Sequence, residues 1–344
     1  MKETSVPRKA VYGLTSFLFG VWAFIKLNEV SGPKFIPILE TCQNPEIPYD
    51  EFEATTGYHR YDPHVGLKVF DALVCMITQF LLELRETHPA GLLVWGGVSV
   101  VALPQACINV IEAGRAGVRG PIRYPTIIGL LNQLIGVSVV APMIWVPGFI
   151  FGEGRRGSPV STARTVFAGA SYLSIASLTV IVFTATTESQ LWTTSAGIIG
   201  GPILPMTGLV LFTDASADLV ATKESGNASS VAVSKMYKVM MVPGLIGWYT
   251  LVAIAYQTYG VSLSDLWNDI WVNAAPSIAF MTIDTLVLYL AVLIFVAYRY
   301  GESKAAKALF LTTVLGPATA VLYVLNEAEN EMDFAYLDDE KKED

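Results

Sequence analysis

Residues 105–133 read QACINVIEAGRAGVRGPIRYPTIIGLLNQ, and they place Glu112 and three arginines between two apolar segments. Charged side chains near hydrocarbon are unfavourable unless they are paired or reach water. Apolar runs of about 20 residues recur along the whole chain, which is typical of membrane-spanning helices. The concentration of charge in this stretch therefore needs a structural or functional reason.

The composition of the whole chain is that of a membrane protein. Of its 344 residues, 53% are hydrophobic and only 15% are charged, and the mean hydropathy is +0.49. A soluble domain carries roughly 25% charged residues. The apolar runs do not alternate with period two, which argues against a transmembrane β-barrel. We predict an all-α polytopic transmembrane bundle without a basic surface for nucleic acid.

Hydropathy predicts about nine spans in one domain over residues 1–326. Residues 29–66, rich in proline, acids and aromatics, are predicted to form a soluble loop or cap, and residues 327–344 an acidic tail. Cys75 and Cys107 fall inside spans, where cysteine usually behaves as a small apolar residue. The predicted spans are 10–28, 67–85, 91–112, 125–151, 163–186, 193–213, 238–258, 277–298 and 306–325.

The distribution of lysine and arginine predicts a cytosolic N-terminus. With nine spans, the loops near 187–192 and 259–276 lie on the opposite side and carry no positive charge. The same arrangement puts Arg115, Arg119 and Arg123 on the side that positive charge avoids. We therefore expect buried carboxylates or an anionic substrate group to hold these arginines, with contact to lipid phosphates as the alternative.

Two sorting signals bear on the orientation. Asn227-Ala228-Ser229 is a glycosylation sequon, which a cytosolic N-terminus would leave unmodified. Residues 341–344, KKED, resemble a dilysine signal for retrieval to the endoplasmic reticulum. That signal acts on a cytosolic tail, which with nine spans would require the opposite orientation.

Polar residues follow one face of two predicted spans. The second span carries them at every fourth position, at Asp71, Cys75, Gln79 and Glu83. The third span does the same with Gln105, Asn109 and Glu112. Such faces turn inward in a membrane, which predicts a polar cavity between the two helices. The alternative is hydrogen bonding that only fastens the bundle.

The fourth predicted span opens with Arg123-Tyr124-Pro125. Gly129 and Gly136 are interpreted as residues that allow close helix packing. Asn132 and its neighbour Gln133 are candidates for lining the cavity.

Asp284 stands alone among apolar residues of a later span. A buried lone carboxyl tends to keep its proton, which is the state that a general acid requires. An ion pair with one of the arginines is the alternative. Asp214 and Asp218 form a single D-x-x-x-D motif, whereas a magnesium–diphosphate site of the intramembrane prenyl transferase type needs two.

Four segments together resemble a group of fungal integral-membrane terpene cyclases of meroterpenoid and sesquiterpenoid pathways, of the ascochlorin and macrophorin type. They are HVGLKVFDALVCMITQFL (64–81), EAGRAGVRGPIRYPTIIGLLNQLIGVSVVAP (112–142), FMTIDTLVLYLAVLIFVAYRYG (280–301) and LGPATAVLYVLNE (315–327). The resemblance spans most of the chain, although no single motif in it is diagnostic.

The resemblance implies an enzyme of the endoplasmic reticulum membrane that performs acid-initiated cyclisation of a farnesyl or epoxy-farnesyl chain. The reaction needs no cofactor, and the partners are a lipophilic isoprenoid substrate and the bilayer. The candidate acids are Asp71, Glu112 and Asp284. The candidate substrate-binding residues are Gln79, Asn109, Arg115, Arg119, Arg123, Tyr124, Asn132 and Gln133.

Two other classes of function remain open from the sequence. In a transporter or channel for a small metabolite, the polar faces of the second and third spans would line a permeation path. The sequence has no evident internal repeat, which argues against transporter folds built from duplicated halves. In a membrane scaffold, the acidic loop and tail would be partner surfaces.

Overall fold

The structure is a computed structural model that describes residues 6–44, 46–57, 66–86, 89–155, 158–185, 190, 193–197 and 223–332. Within these ranges the secondary structure is entirely helical, as predicted. The principal helices are α1 (Val6–Gln43), α2 (Tyr49–Thr56), α3 (Lys68–Glu86), α4 (Gly91–Ala113), α5 (Pro125–Ile135), α6 (Val137–Gly152), α7 (Thr162–Thr184), α8 (Lys223–Tyr259), α9 (Leu263–Trp267), α10 (Pro276–Tyr300) and α11 (Glu302–Asn330).

Six of these helices are long and apolar enough to cross a membrane, namely α1, α4, α7, α8, α10 and α11. They correspond to six of the predicted spans, and they support a multi-pass membrane protein. The predicted count of about nine is not confirmed. The differences arise at α3, at the α5–α6 pair, at α11, which is long and apolar but turns back at Gly316, and at the predicted span 193–213, most of which lies outside the described residues.

The bundle has two ends of different chemistry. At the charged end, the start of α1 meets the start of α11 through an ion pair between Arg8 and Glu302 of 3.1 Å. At the disulfide end, Cys42 near the end of α1 is bonded to Cys75 of α3. The Ser31 hydroxyl donates to the carbonyl of Pro276, so α10 begins where α1 has already reached this end.

Helix α11 does not run straight across the bundle, because it turns back at Gly316. This glycine has φ of +76° and ψ of 162°, inside a segment that is otherwise helical. Lys304 lies 2.8 Å from Glu331 and Lys307 lies 2.6 Å from Glu327, although a straight helix would separate the first pair by roughly 40 Å. The segment is therefore a re-entrant hairpin whose two ends both lie at the charged end.

Helices α5 and α6 form a second re-entrant hairpin around Gly136, which has φ of +101°. The backbone N–H of Arg119 donates to the Gly152 carbonyl at 2.9 Å, and the N–H of Arg155 donates to the Ala116 carbonyl at 2.7 Å. These contacts close the base of the hairpin at the end of α4. The predicted span 125–151 is thus two half-helices, each too short for the roughly 20 residues that a crossing needs.

Helix α1 is longer than a membrane crossing requires. Its 38 residues extend about 57 Å, against a hydrocarbon core of about 30 Å, and they include residues 29–43, which the sequence analysis assigned to the soluble loop. Helix α3 packs antiparallel to this extension, because Cys75 bonds to Cys42 and Glu83 pairs with Lys34. We call residues 33–43 together with α2 and α3 the cap.

The cap corrects the prediction of a second span at 67–85. Helix α3 lies beside the extension of α1, past the level at which α4 and α10 begin. A β-carbon on Gly91 would lie 1.5 Å from the carbonyl oxygen of Leu84, so α4 starts directly against the end of α3. The polar residues of α3 therefore serve the cap and do not mark a span.

An aromatic contact fixes the re-entrant hairpin α5–α6 against α10. The rings of Trp145 and Phe295 stack at 5.2 Å, and Phe149 meets Phe295 edge to face at 4.7 Å. All three side chains are fully buried in the main apolar core. This packing holds the second half of α6 at a defined position along α10.

We expect Gly316→Ala to destabilise the protein. Alanine in this backbone region, which is essentially restricted to glycine, costs roughly 1–3 kcal/mol, and its β-carbon would lie 2.4 Å from Cγ of Trp248. The apparent Tm in detergent should fall, whereas the control Gly97→Ala should leave it unchanged, since that β-carbon meets Thr285 at an ordinary 3.5 Å. Equal Tm values for both variants would contradict a tight glycine apex.

Candidate functional site

A cavity of about 550 Å³ lies between α1, the cap, α4, the α5–α6 hairpin, α7 and α10. Its walls are mainly apolar, and they include part of the apex of the hairpin at Gly136. Non-helical backbone at membrane depth is tolerated where it lines a cavity or is buried in protein. The aromatic lining residues are Phe24, Phe35, Phe80, Trp95 and Phe280. The cavity has the volume and apolar lining of a small-molecule site.

Asp284 of α10 is the acidic residue among the described lining residues. It is 4% exposed. Its Oδ1 accepts the backbone N–H of Ser138 at 3.3 Å and also accepts a hydrogen bond from the Ser138 hydroxyl. Gly136 breaks the hairpin here, so the unpaired N–H groups at the start of α6 point at this carboxyl. The sequence pattern singled out Asp284 and not the serine that holds it.

Four polar atoms around the cavity are buried without a hydrogen-bond partner in the described part of the chain. Two are donors, Nε1 of Trp95 and Nε2 of Gln105, and two are acceptors, Oδ1 of Asn109 and Oδ1 of Asn132. Leaving such a group unsatisfied costs about 1–3 kcal/mol, and buried polar groups normally have a partner. The predicted residues Asn109 and Asn132 thus lie together, on a wall that offers both donors and acceptors.

The described lining residues include no lysine, arginine or histidine. Among these described lining residues, the ionisable acid or base is the carboxyl of Asp284. No group of three or more His, Cys, Asp or Glu side chains in the described ranges is placed to hold a metal ion.

Glu112 lies outside the cavity, in a buried ion-pair cluster at the charged end. Its carboxylate is 3.3 Å from Nε of Arg115 and 3.0 Å from a terminal nitrogen of Arg299. Arg115 also pairs closely with Glu329, and Arg299 lies 3.1 Å from Glu153. Two cations hold Glu112, so the prediction that it faces a polar cavity with Asp71 is wrong.

Of the three arginines in residues 105–133, Arg115 is the buried one. Burial by itself would lower the pKa of Arg115, but the carboxylates of Glu329 and Glu112 raise it overall, so the guanidinium stays charged. Its other terminal nitrogen donates to the Ser158 carbonyl at 3.1 Å. The expectation that buried carboxylates hold the arginines is confirmed for this residue.

Arg119, Arg123 and Tyr124 have exposed side chains at the base of the α5–α6 hairpin, and they do not line the cavity. Within the described ranges neither arginine has an ion pair. Because this hairpin is re-entrant, its base lies at the same end as the start of α1. The two arginines therefore share the end that carries Arg8 and Lys9, and they do not break the charge bias as the nine-span arrangement required.

The polar face of α3 belongs to the cap. Oδ2 of Asp71 accepts the backbone N–H of Gly66 at 3.1 Å, near the start of the helix. Cys75 is bonded to Cys42, so the prediction of a small apolar cysteine is wrong there. Gln79 is buried but does not line the cavity. Glu83 pairs with Lys34 and accepts the N–H of Ser277 at 3.1 Å.

Three further predictions concern residues that the structure describes partly or not at all. The backbone of Gln133 belongs to α5, but its side chain lies outside the described part of the chain. The motif at Asp214 and Asp218 and the signal at residues 341–344 also lie outside it. The sequon at Asn227 lies in the first turns of α8, an exposed position.

Sequence reasoning missed Arg299, Glu329 and Glu153 as partners of Glu112 and Arg115. Arg299 follows an apolar run at the end of a predicted span, and Glu329 was assigned to the acidic tail. Their distance along the chain hides the association, since Arg115 and Glu329 are 214 residues apart. The remaining signal is that each charge adjoins an apolar run, where an unpaired charge is unfavourable.

The fold and the site define a multi-pass α-helical membrane protein with an aromatic-lined cavity and a buried carboxyl. Comparisons of the chain with protein-family models, with curated proteins and with solved structures gave no match.

We expect Glu329→Gln to destabilise the protein by about 3–5 kcal/mol, because it leaves Arg115 buried with fewer partners. Unfolding in detergent, followed by Tm and by loss of the monodisperse peak, measures the effect. The matched control Glu302→Gln removes an exposed partner of Arg8 and should change the Tm little. Equal Tm values for the parent and both variants would contradict a stabilising role for the ion-pair cluster.

Proposed function

We propose that the chain is a membrane-embedded terpene cyclase of the endoplasmic reticulum, which starts ring closure of a farnesyl-derived substrate by protonating an epoxide or a terminal olefin. The observation that carries the proposal is the position of Asp284, a buried carboxyl in an apolar cavity lined by aromatic rings. Acid-initiated cyclisation needs such a carboxyl together with a dry pocket.

The contacts distinguish the three candidate acids. Glu112 is bound by two arginines, and an acid in that setting is poorly suited to hold a proton. Asp71 lies near the start of α3 in the cap. Asp284 has hydrogen bonds from a serine and lines the cavity, which supports it as the acid.

The hydrogen bonds of Asp284 indicate which oxygen would act. Both contacts from Ser138 go to Oδ1, which leaves Oδ2 to carry the acidic proton. In the proposed reaction Oδ2 transfers that proton to the epoxide oxygen, and the C–O bond breaks as an alkene attacks the carbon. A base removes one proton from the final carbocation, which balances the proton that Asp284 gave up, so the product is an isomer of the substrate and no oxidant or reductant is consumed.

Aromatic rings suit the carbocations of this reaction. The faces of aromatic rings attract cations with about 0.5–2 kcal/mol each. Phe280 precedes Asp284 by one helical turn on α10, and Phe80 meets its ring edge to face at 5.4 Å. These rings and Trp95 are the candidates for stabilising positive charge next to the acid.

The polar wall of the cavity suits a neutral oxygen-bearing end of the substrate. Hydroxyl and carbonyl groups can satisfy the donors of Trp95 and Gln105 and the acceptors of Asn109 and Asn132. A diphosphate would bring several negative charges to a described lining without a cation. The proposed substrate is therefore a farnesyl chain attached to an uncharged group.

The proposal predicts that Asp284→Asn lowers the cyclisation rate by about 10²–10⁴-fold, because asparagine holds the hydrogen bonds to Ser138 but supplies no acid. Microsomes carrying the protein are incubated with a farnesylated phenol, its epoxide and farnesyl diphosphate, and products are followed by mass spectrometry. The control Asp71→Asn should keep the parental rate. Absence of a cyclised product from all three substrates, or equal rates in both variants, would refute the proposal.

A second candidate function is transport of a small lipophilic metabolite. It is favoured by the re-entrant hairpin α5–α6, because broken helices whose apex reaches a central site are typical of transporters. Flux of the same neutral substrates into proteoliposomes tests it. Substrate accumulation without cyclised product would favour the transporter.

A further inference from the structure

The cap closes the cavity at the disulfide end. Phe35 of the α1 extension and Met76, Ile77, Phe80 and Leu81 of α3 form this part of its lining. The rings of Phe35 and Phe80 lie 5.3 Å apart, so the two helices meet over the cavity. Displacing α3 would remove most of this wall.

Three of the contacts of α3 join it to α1 and α10. The disulfide between Cys42 and Cys75 joins it to α1, and the ion pair of Glu83 with Lys34 joins it to α1 again two turns away. Glu83 also accepts the N–H of Ser277 at the start of α10. Both halves of α3 are thus tied to helices of the bundle.

Two independent features indicate which side of the membrane the cap faces. Disulfides persist in oxidising compartments and are rare in the cytosol. The opposite end carries positive charge of the kind that marks cytosolic loops. Its described members include Arg8, Lys9, Arg115, Arg119, Arg155, Arg299, Lys304 and Lys307.

We propose that the cap is a disulfide-locked lid on the non-cytosolic side of the membrane, which keeps water of that compartment out of the cavity. With the bond intact, the rings of Phe35 and Phe80 stay in contact over the cavity. With the bond broken, α3 can separate from α1, and polar solutes can reach the cavity. This inference does not depend on the cyclase proposal, because it concerns access to the cavity and not chemistry.

The lid is tested by the accessibility of a cysteine introduced at Ala102, which lines the cavity. The background is Cys107→Ala, since Cys107 is the free cysteine of the described chain. In lipid nanodiscs, a charged methanethiosulfonate should modify Ala102→Cys at least tenfold faster when Cys42→Ser and Cys75→Ser are added. Equal rates with and without the disulfide would overturn the lid.

Two controls keep this test informative. Ser303→Cys, exposed at the charged end, should react at the same rate in both backgrounds. If the disulfide-free protein is not monodisperse, the Cys42–Cys75 bond is reduced in the assembled nanodiscs instead, and modification of Ala102→Cys is followed by peptide mass spectrometry. The rate at position 102 should again rise on reduction, and an unchanged rate would count against the lid.

The side of the membrane is tested separately, in sealed microsomes of the Cys107→Ala protein. After reduction with membrane-permeant dithiothreitol and its removal, the vesicles are treated with a membrane-impermeant maleimide. It should label Cys42 and Cys75 only after detergent opens the vesicles. Labelling in intact microsomes would place the cap in the cytosol and overturn the inference.

Discussion

The buried ion-pair cluster of Glu112, Arg115, Arg299 and Glu329 is the interaction on which the charged end depends. Each of these charges would be unfavourable alone in an apolar interior, and breaking such a pair typically costs several kcal/mol. The four residues come from the ends of α4, α10 and α11 and from the turn after α4. The cluster therefore joins the bases of both re-entrant hairpins to the crossing helices.

The hairpins in turn determine what lies at the centre of the bundle. A re-entrant segment places an interrupted helix at membrane depth, where its backbone groups must be buried or must face a cavity. At Gly316 the apex is packed against Trp248. At Gly136 the apex lines the cavity, and the restart of the helix brings Ser138 to Asp284. One hairpin is thus structural, and the other builds the candidate site.

The two ends of the cavity have different surroundings. Toward the charged end the bundle is closed by packed aromatic rings and, beyond them, by the ion pairs. Toward the disulfide end it is closed by the cap, which rests on one covalent bond and on the contacts of Glu83. The two ends of the cavity are therefore closed by different parts of the chain.

Local sequence determined the helical class, six of the long apolar helices, the burial of Arg115 by carboxylates and the candidacy of Asp284, because hydropathy and isolated charges act through the cost of burial. The tertiary structure decided the rest. A glycine at positive φ turns a helix back, although hydropathy is the same for a hairpin and a crossing. The disulfide and the ion pair of Glu83 with Lys34 made the polar face of α3 part of the cap. The ion pairs with Arg115 and Arg299 kept Glu112 away from Asp284. Apart from Arg115, these partners are distant in the sequence, so no local pattern could identify them.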